Sequence, residues 1–363
     1  MFIIFKSFFS VLTRVFGPKN KIGLLLGPFI QDERVNFFCY NTCMKKLLLS
    51  VFLLLSSIVF GAEPFMVVKP FRETFLHFPS STLAEDGVVV TVFLPEASVP
   101  LHQKYPVVYM LGVGPEDAQA VKDLQDSYTR KTLLVGLSLG ENSTADAQKI
   151  STFIAHELVP YIDANYLTLT DPMYRALAVS GAEQAKLAAE LARKKELFGR
   201  FLLLNPGEKA LSLAGADPRL RVLLAAERGE VVVWQETLED MGLGYGADFA
   251  TKIIKTDSLT EVLNPDYLFA DSSAVRVKKL TGAVYPKNIS LETGKAFLSL
   301  EAVLSDGSVF DYIALSLRLS PPYLHWNAAD GVLIPIAGAE AGKVKISVFV
   351  DKKKFSDKIQ LKK

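Results

Sequence analysis

Three runs in this chain, VVYML at 107–111, LLVGL at 133–137 and FLLL at 201–204, are apolar at every position. A strand with one solvated face alternates apolar and polar residues, so an unbroken run belongs to a strand covered on both faces. Such strands lie at the centre of parallel sheets, and parallel neighbours need a long crossover, usually a helix. The segments between the runs supply those helices. Candidate strands fall at 75–78, 88–94, 107–111, 133–137, 174–180, 201–204, 222–225 and 252–254, and candidate helices at 116–126, 145–164, 182–197 and 232–241. The alternation predicts an α/β fold, a mainly parallel sheet covered by helices. The first two strands have no helix between them and are expected to form an antiparallel start.

The pattern changes near Asp271. From 276 to 363 short β runs follow one another, FLSLEAVL, VFDYIALSLRL, VLIPIA and KVKISVFV, with turn signals at Ser305-Asp306-Gly307, Asp330-Gly331 and Gly342. About 85 residues with this spacing predict a small all-β sandwich. LEAVLSDGSV, then Trp326, the Asp330-Gly331 pair, Gly342 and a valine-rich last strand resemble a bacterial immunoglobulin-like domain. The expected division is 62–272 for the α/β part and 276–363 for the sandwich.

The N-terminal part reads as targeting. Met44-Lys45-Lys46 is followed by LLLSVFLLLSSIVFGAEPF: a short basic region, an apolar run of about a dozen residues, and small residues at Gly61 and Ala62. This predicts a secretory signal peptide over 44–61. The apolar run falls short of the ~20 residues of a membrane span, so no stable span is expected after cleavage. Residues 1–43, apolar and aperiodic, precede a complete signal, and Met44 is the expected start. The only cysteines, Cys39 and Cys43, lie in that extension, so no disulfide or thiolate chemistry is expected in the exported protein, periplasmic or secreted. Half of the residues are hydrophobic and the net charge is +1, which points away from nucleic-acid binders and disordered chains.

The stretch YRALAVSGAEQAKLAAELARKKELF, 174–198, reads as a buried strand, a tight turn and a helix. That is the layout of a nucleophile elbow. It resembles the R-A-x-A-G-x-S-x-G-G, helix, Phe-Gly pattern of the esterase D and enterochelin-esterase type of α/β-hydrolase. VTVFLPEA with KYPVVYMLG, LLVGLSLGE, FIAHELVPYIDANYLTLTD and RFLLLNP resemble four further segments of that family in the same order. The resemblance covers roughly 88–269 and implies the α/β-hydrolase fold. It puts the family's arginine at Arg175, its phenylalanine at Phe198, and Gly181 where the nucleophilic serine stands; the two following glycines become Glu183 and Gln184.

Acyl transfer needs a serine at a strained turn, a histidine to take its proton, a carboxylate behind the histidine and N–H groups for the oxyanion. Ala178-Val179-Ser180-Gly181-Ala182 is itself a small-x-Ser-x-small pentapeptide, so a turn shifted by one residue would present Ser180; otherwise Ser180 caps the helix. The family's histidine loop corresponds to KTDSLTEVLNPDYL, and its histidine position is Leu259. His325 is the one histidine after Ser180 and lies in the sandwich; His77, His102 and His156 read as structural or solvated. Glu227 and Glu230 stand about where the family places its acid. Gly112-Val113-Gly114 is the expected oxyanion turn, with Gly112 and Val113 as its donors. No metal-ligand spacing and no phosphate loop occurs, so no metal or cofactor is expected.

Three readings follow. The lead reading is a pseudo-esterase, a binding or scaffolding module for a small-molecule ester or glycan. The second is an active serine carboxylic-ester hydrolase using Ser180. The third is a glycan or cell-surface binding protein working through the β-domain, with Tyr312, Tyr323 and Trp326 as stacking faces unless Trp326 is a core tryptophan.

Overall fold

The computed structural model describes residues 71–76, 78–83, 88–95, 103–140, 147–209, 213, 219–271 and 275–363. The expected extension 1–43, the signal segment 44–61, His77 and His102 lie outside the described residues.

Eight strands build the α/β part: β1 (Arg72–Phe75), β2 (Val89–Phe93), β3 (Val107–Leu111), β4 (Leu133–Ser138), β5 (Arg175–Ser180), β6 (Arg200–Leu204), β7 (Arg221–Ala226) and β8 (Phe249–Ile253). Their spatial order is β1-β2-β4-β3-β5-β6-β7-β8. β2 runs antiparallel to both β1 and β4, while β4, β3, β5, β6, β7 and β8 pair in parallel. This is an α/β-hydrolase-type sheet. β3, β6 and β7 are buried at every position, as their apolar runs require.

The helices in chain order are α1 (Ala118–Ser127), α2 (Ala147–Phe153), α3 (Val159–Asn165), α4 (Ala182–Ala192), α5 (Arg228–Asp240), α6 (Leu259–Val262) and α7 (Pro265–Leu268). Three expectations need correction. The first strand lies at Arg72–Phe75, not 75–78, because Phe78 packs edge-on against Phe153 and Tyr161 instead of joining the sheet. The single helix expected at 145–164 is interrupted by a wider π turn at Ile154–Leu158. Val159 still gives its N–H to Ile154 O, but Pro160, the next residue, has none to give the preceding turn. The helix after β5 ends at Ala192 rather than 197, leaving Phe198 free to bury itself edge-on to Tyr109 at 5.6 Å.

The remaining nine strands are β9 (Val277–Tyr285), β10 (Asn288–Ser290), β11 (Ala296–Leu304), β12 (Val309–Asp311), β13 (Arg318–Ser320), β14 (Leu324–Asn327), β15 (Val332–Pro335), β16 (Gly342–Val350) and β17 (Lys353–Lys362). β9, β11, β15 and β14 pair in that order; β10, β17, β16 and β13 form a second sheet. Alternation along β11 turns Ala296, Leu298, Leu300, Ala302 and Leu304 inward, and Val344, Ile346 and Val348 of β16 do the same from the other sheet. The result is a two-sheet β-sandwich.

The change of composition near Asp271 is no break in contacts. Lys69–Lys363 is one compact unit. β12 pairs with β8 through Asp311 and Thr251, so the α/β sheet continues into the sandwich. The Asp311 carboxylate accepts the Ile253 N–H at 2.8 Å, and its carbonyl accepts the Thr251 and Tyr245 hydroxyls. Further along the seam Gln235 Nε2 donates to Ile313 O at 2.9 Å, and Arg228 Nε to Ala328 O at 3.0 Å.

Candidate functional site

The turn after β5 decides what stands at the elbow. Ser180 is the last residue of β5, and Gly181 is the N-cap of α4 with φ +85° and ψ 162°. That backbone region is essentially reserved for glycine. A Cβ built on Gly181 would meet nothing within 4 Å, so the apex opens into free space. Gly181 donates its N–H to Leu204 O at 2.8 Å and accepts from Ala185 N at 3.0 Å, which ties the elbow to β6 and starts the helix. The residue in the strained position is therefore Gly181, and Ser180 lies one step back in the strand. The Ser180 hydroxyl is not the helix cap, since the N-cap residue is Gly181. The Ser180 N–H is instead taken by Gln184 Oε1 at 3.0 Å.

A cleft of about 460 Å³ opens beside this turn, lined among others by Gly112, Val113, Ser180, Gln184 and Leu259. Five of the residues singled out from sequence thus meet at the C-terminal ends of the strands, where open α/β sheets hold ligands. Gly112 has φ +81° and already donates its N–H to Leu137 O at 2.8 Å. Of the two expected oxyanion donors, the Gly112 N–H is thus engaged within the sheet end, and Val113 lines the cleft. Leu259 opens α6, is 5% exposed and turns an apolar wall to the cleft. Glu227 is the exposed N-cap of α5 and does not line the cleft; Glu230 accepts the Gly207 N–H at 3.2 Å. His156 is exposed on the π turn and His325 exposed on β14, and neither lines the cleft.

The structure adds residues that sequence reasoning passed over. Asp117, Asp257, Ser258 and Thr260 also line the cleft. Asp117 is anchored by the Gly114 N–H at 2.8 Å, and the Ser258 and Thr260 hydroxyls lie 2.9 Å apart. Asn205, with φ +44° after β6, donates Nδ2 to Asp257 Oδ1 at 2.6 Å and to Thr256 O at 3.1 Å, which fixes the loop carrying Leu259. The usable signal was position alone: each sits in a loop at a strand's C-terminal end. A second compartment of about 530 Å³ adjoins, lined by Leu139, Ala147, Ile150 and Leu187 on its apolar side. Leu111, Gly112 and Gln184 line both compartments, so the Gln184 side chain stands between them. Chemically the first compartment offers hydroxyls, an amide and two carboxylates beside an apolar wall, and among the described residues no imidazole lines it.

Of the three aromatic residues proposed as stacking faces, Tyr323 is half-buried with its hydroxyl 3.4 Å from Glu340 Oε2, and the other two are engaged in the core and the seam. Tyr312 is 8% exposed and packs edge-on to Tyr245 at 4.9 Å. Trp326 is half-buried, donates Nε1 to Ala314 O at 2.7 Å and lies under the Arg228 guanidinium at 6.0 Å. It belongs to the seam between sandwich and α5. Desolvation there pulls the Arg228 pKa below its usual value, against a smaller opposing effect of Asp311.

No protein-family model and no curated protein matches this chain. Among solved structures it is similar to the BES protein from Bacillus cereus, at 16% identity over 57% of this chain and 99% of that one, with a TM-score of 0.40. An IroE-like serine hydrolase from Shewanella oneidensis is 16% identical over 55% of this chain and 78% of its own, with a TM-score of 0.41. A ferulic acid esterase from Anaeromyces mucronatus is 14% identical over 57% of this chain and 92% of its own, with a TM-score of 0.38. At such identities and scores these likenesses say nothing of the chemistry in the cleft.

Proposed function

We propose that this is an exported esterase-like protein whose cleft binds a small-molecule ester or glycan without cleaving it. The observation that supports this reading best is the elbow itself. Its positive-φ residue is Gly181, which has no side chain, and Leu259 lines the cleft beside the turn, to which Ser180 and Gln184 also contribute. Ester cleavage by this route needs a nucleophile and a base within hydrogen-bond reach of one another. A glycine and a leucine supply neither. What remains is a shaped cleft with hydroxyl, amide and carboxylate groups, which can hold a ligand.

The test is fluorophosphonate labelling of the chain from Ala62 onward, with p-nitrophenyl acetate turnover measured alongside. Absence of both signals is the expected result. Labelling that disappears in Ser180→Ala would overturn it and favour the second reading, an active carboxylic-ester hydrolase. That reading draws on Ser180 lining the cleft, and among the described residues the titratable side chains that line it, and could act as its base, are Asp117 and Asp257.

Export rests on the signal-like segment 44–61, and N-terminal sequencing of the secreted protein would test it. We also read the sandwich as immunoglobulin-like. In chain order, with β10 and β12 as additions, β9, β11, β15 and β14 repeat the A-B-E-D pairing, and β13, β16 and β17 the C-F-G pairing.

A further inference from the structure

The overall charge of +1 conceals a division. Residues 276–363 hold 14 of the 40 lysines and arginines but 8 of the 39 carboxylates, a net +6. Residues 1–275 hold the other 26 cations and 31 carboxylates, a net −5. Much of the sandwich's excess lies on one surface, the outer face of the sheet β10-β17-β16-β13.

Register defines that face. Val344, Ile346 and Val348 of β16 are buried, so Lys343, Lys345 and Phe349 point outward, while Ser347, on the same side by register, is buried with its hydroxyl 3.0 Å from that of Ser356. Their cross-strand partners on β17 are Gln360, Lys358, Ser356 and Lys354, and Lys362 continues the row. Arg318 and Ser320 of β13 pair with Ser347 and Lys345, and Asn288 and Ser290 of β10 with Gln360 and Lys362. These outward positions hold six cations and no carboxylate. The nearby Asp357 lies on the other face, where it accepts the Val284 N–H at 3.2 Å and pairs with Lys287. Lys345 and Lys358 stand directly opposite each other. Like charges so placed destabilise a sheet, so their arrangement answers to something other than folding. The lysine row from Lys354 to Lys362 runs roughly 27 Å, and the four strands span about 14 Å between the outer two.

We infer that this face is a docking surface for a linear acidic polysaccharide. Charge complementarity calls for a polyanion. The groups between the cations are hydroxyls and amides, Ser356, Ser320, Asn288 and Gln360 among them, which pair with sugar hydroxyls and carboxylates. A membrane-binding face needs an apolar band to enter the lipid. Here one large apolar side chain is exposed, Phe349 at 53%, and the Lys354 ammonium lies 5.4 Å from its ring centre. A single-stranded nucleic acid would want a series of stacking aromatics, and Phe349 is alone on this face.

The test is calorimetric titration of the full chain with polygalacturonate, with dextran as the neutral control. Binding to polygalacturonate alone is expected, weakening steeply as salt rises toward about 0.5 M. Lys345→Glu with Lys358→Glu should weaken it about tenfold or more, while Lys278→Glu with Lys279→Glu on β9 should leave it unchanged. If the first pair fails to fold, as judged by circular dichroism, Lys343→Gln with Lys362→Gln takes its place, and a loss of affinity is again expected. Equal binding to dextran overturns the inference. So does unchanged affinity in the folded variants, or tighter binding to phosphatidylglycerol vesicles or to DNA than to polygalacturonate.

Discussion

Replacing Gly181 by alanine isolates the claim that this residue, and not Ser180, is the strained apex. With φ +85° and ψ 162°, a non-glycine residue there costs about 1–3 kcal/mol. Two opposing effects are small. The new methyl meets no atom within 4 Å, so it adds neither a clash nor packing. Loss of glycine's freedom in the unfolded chain returns about 0.4–1 kcal/mol. The net expectation is a destabilisation of about 1–2 kcal/mol, which for a unit of this size lowers Tm by roughly 2–6 °C. Ser180→Ala is the paired control. It removes a half-buried hydroxyl from the end of a strand whose backbone contacts stay in place, and should change stability by no more than ~0.5 kcal/mol. Differential scanning fluorimetry and urea unfolding of the two variants beside the parent measure both. A Gly181→Ala protein as stable as the parent, or a larger loss in Ser180→Ala, would refute the assignment of the apex and with it the argument that the nucleophile is missing.

Two further outcomes follow from the seam and from the sandwich. Arg228→Ala removes the bond to Ala328 O and the cation over Trp326, for an expected loss of about 2–3 kcal/mol, read as a shift of the urea midpoint with no change in fluorophosphonate labelling. Asp357 is raised by burial but lowered more by Lys287 and by the N–H groups of Lys358 and Val284, so its pKa lies below the usual carboxylate value. A depressed folded-state pKa contributes stability above the unfolded pKa and loses it as pH falls through the folded one. The stability gap between parent and Asp357→Asn should therefore be full near neutrality and close below about pH 4; a gap independent of pH in urea titrations would contradict it.

How much of this was legible depends on the range of the forces involved. The apolar runs at 107–111, 133–137 and 201–204 declared strands buried on both faces, and β3, β4 and β6 are there. Gly181 was legible because two anchors, Arg175 and Phe198, bracket it at fixed distances along one strand, one turn and one helix. Other features depend on partners far away in sequence. Arg221 begins β7 fully buried because Tyr267 O and Ala270 O accept from it at 2.7 and 2.9 Å, a pairing no local pattern announces. Phe78 looked like the end of a strand by its neighbours and is claimed instead by Phe153 and Tyr161. In the cleft, Asp257 gains its place through Asn205, 52 residues earlier.

The boundary near Asp271 shows why composition misleads about mechanics. Loss of helical periodicity suggested two domains, 62–272 and 276–363. Yet β8, which would otherwise leave a row of unpaired N–H and C=O groups at the sheet edge, is met by β12 at Asp311. Open edges invite pairing with other chains, and the sandwich covers this one from within the same chain. The bond from the Asp311 carboxylate to Ile253 and those from its carbonyl to Thr251 and Tyr245 make that contact hard to part. A buried polar junction that loses one partner leaves the other unsatisfied, at about 1–3 kcal/mol each. The sandwich is thus held as an extension of the sheet rather than swung on a tether. Arg228, the residue after Glu227, reaches from the start of α5 to Ala328 in the sandwich. The cleft and the cationic face thus lie on one compact unit, joined by the β8–β12 pairing and by the bond from Arg228 to Ala328 O.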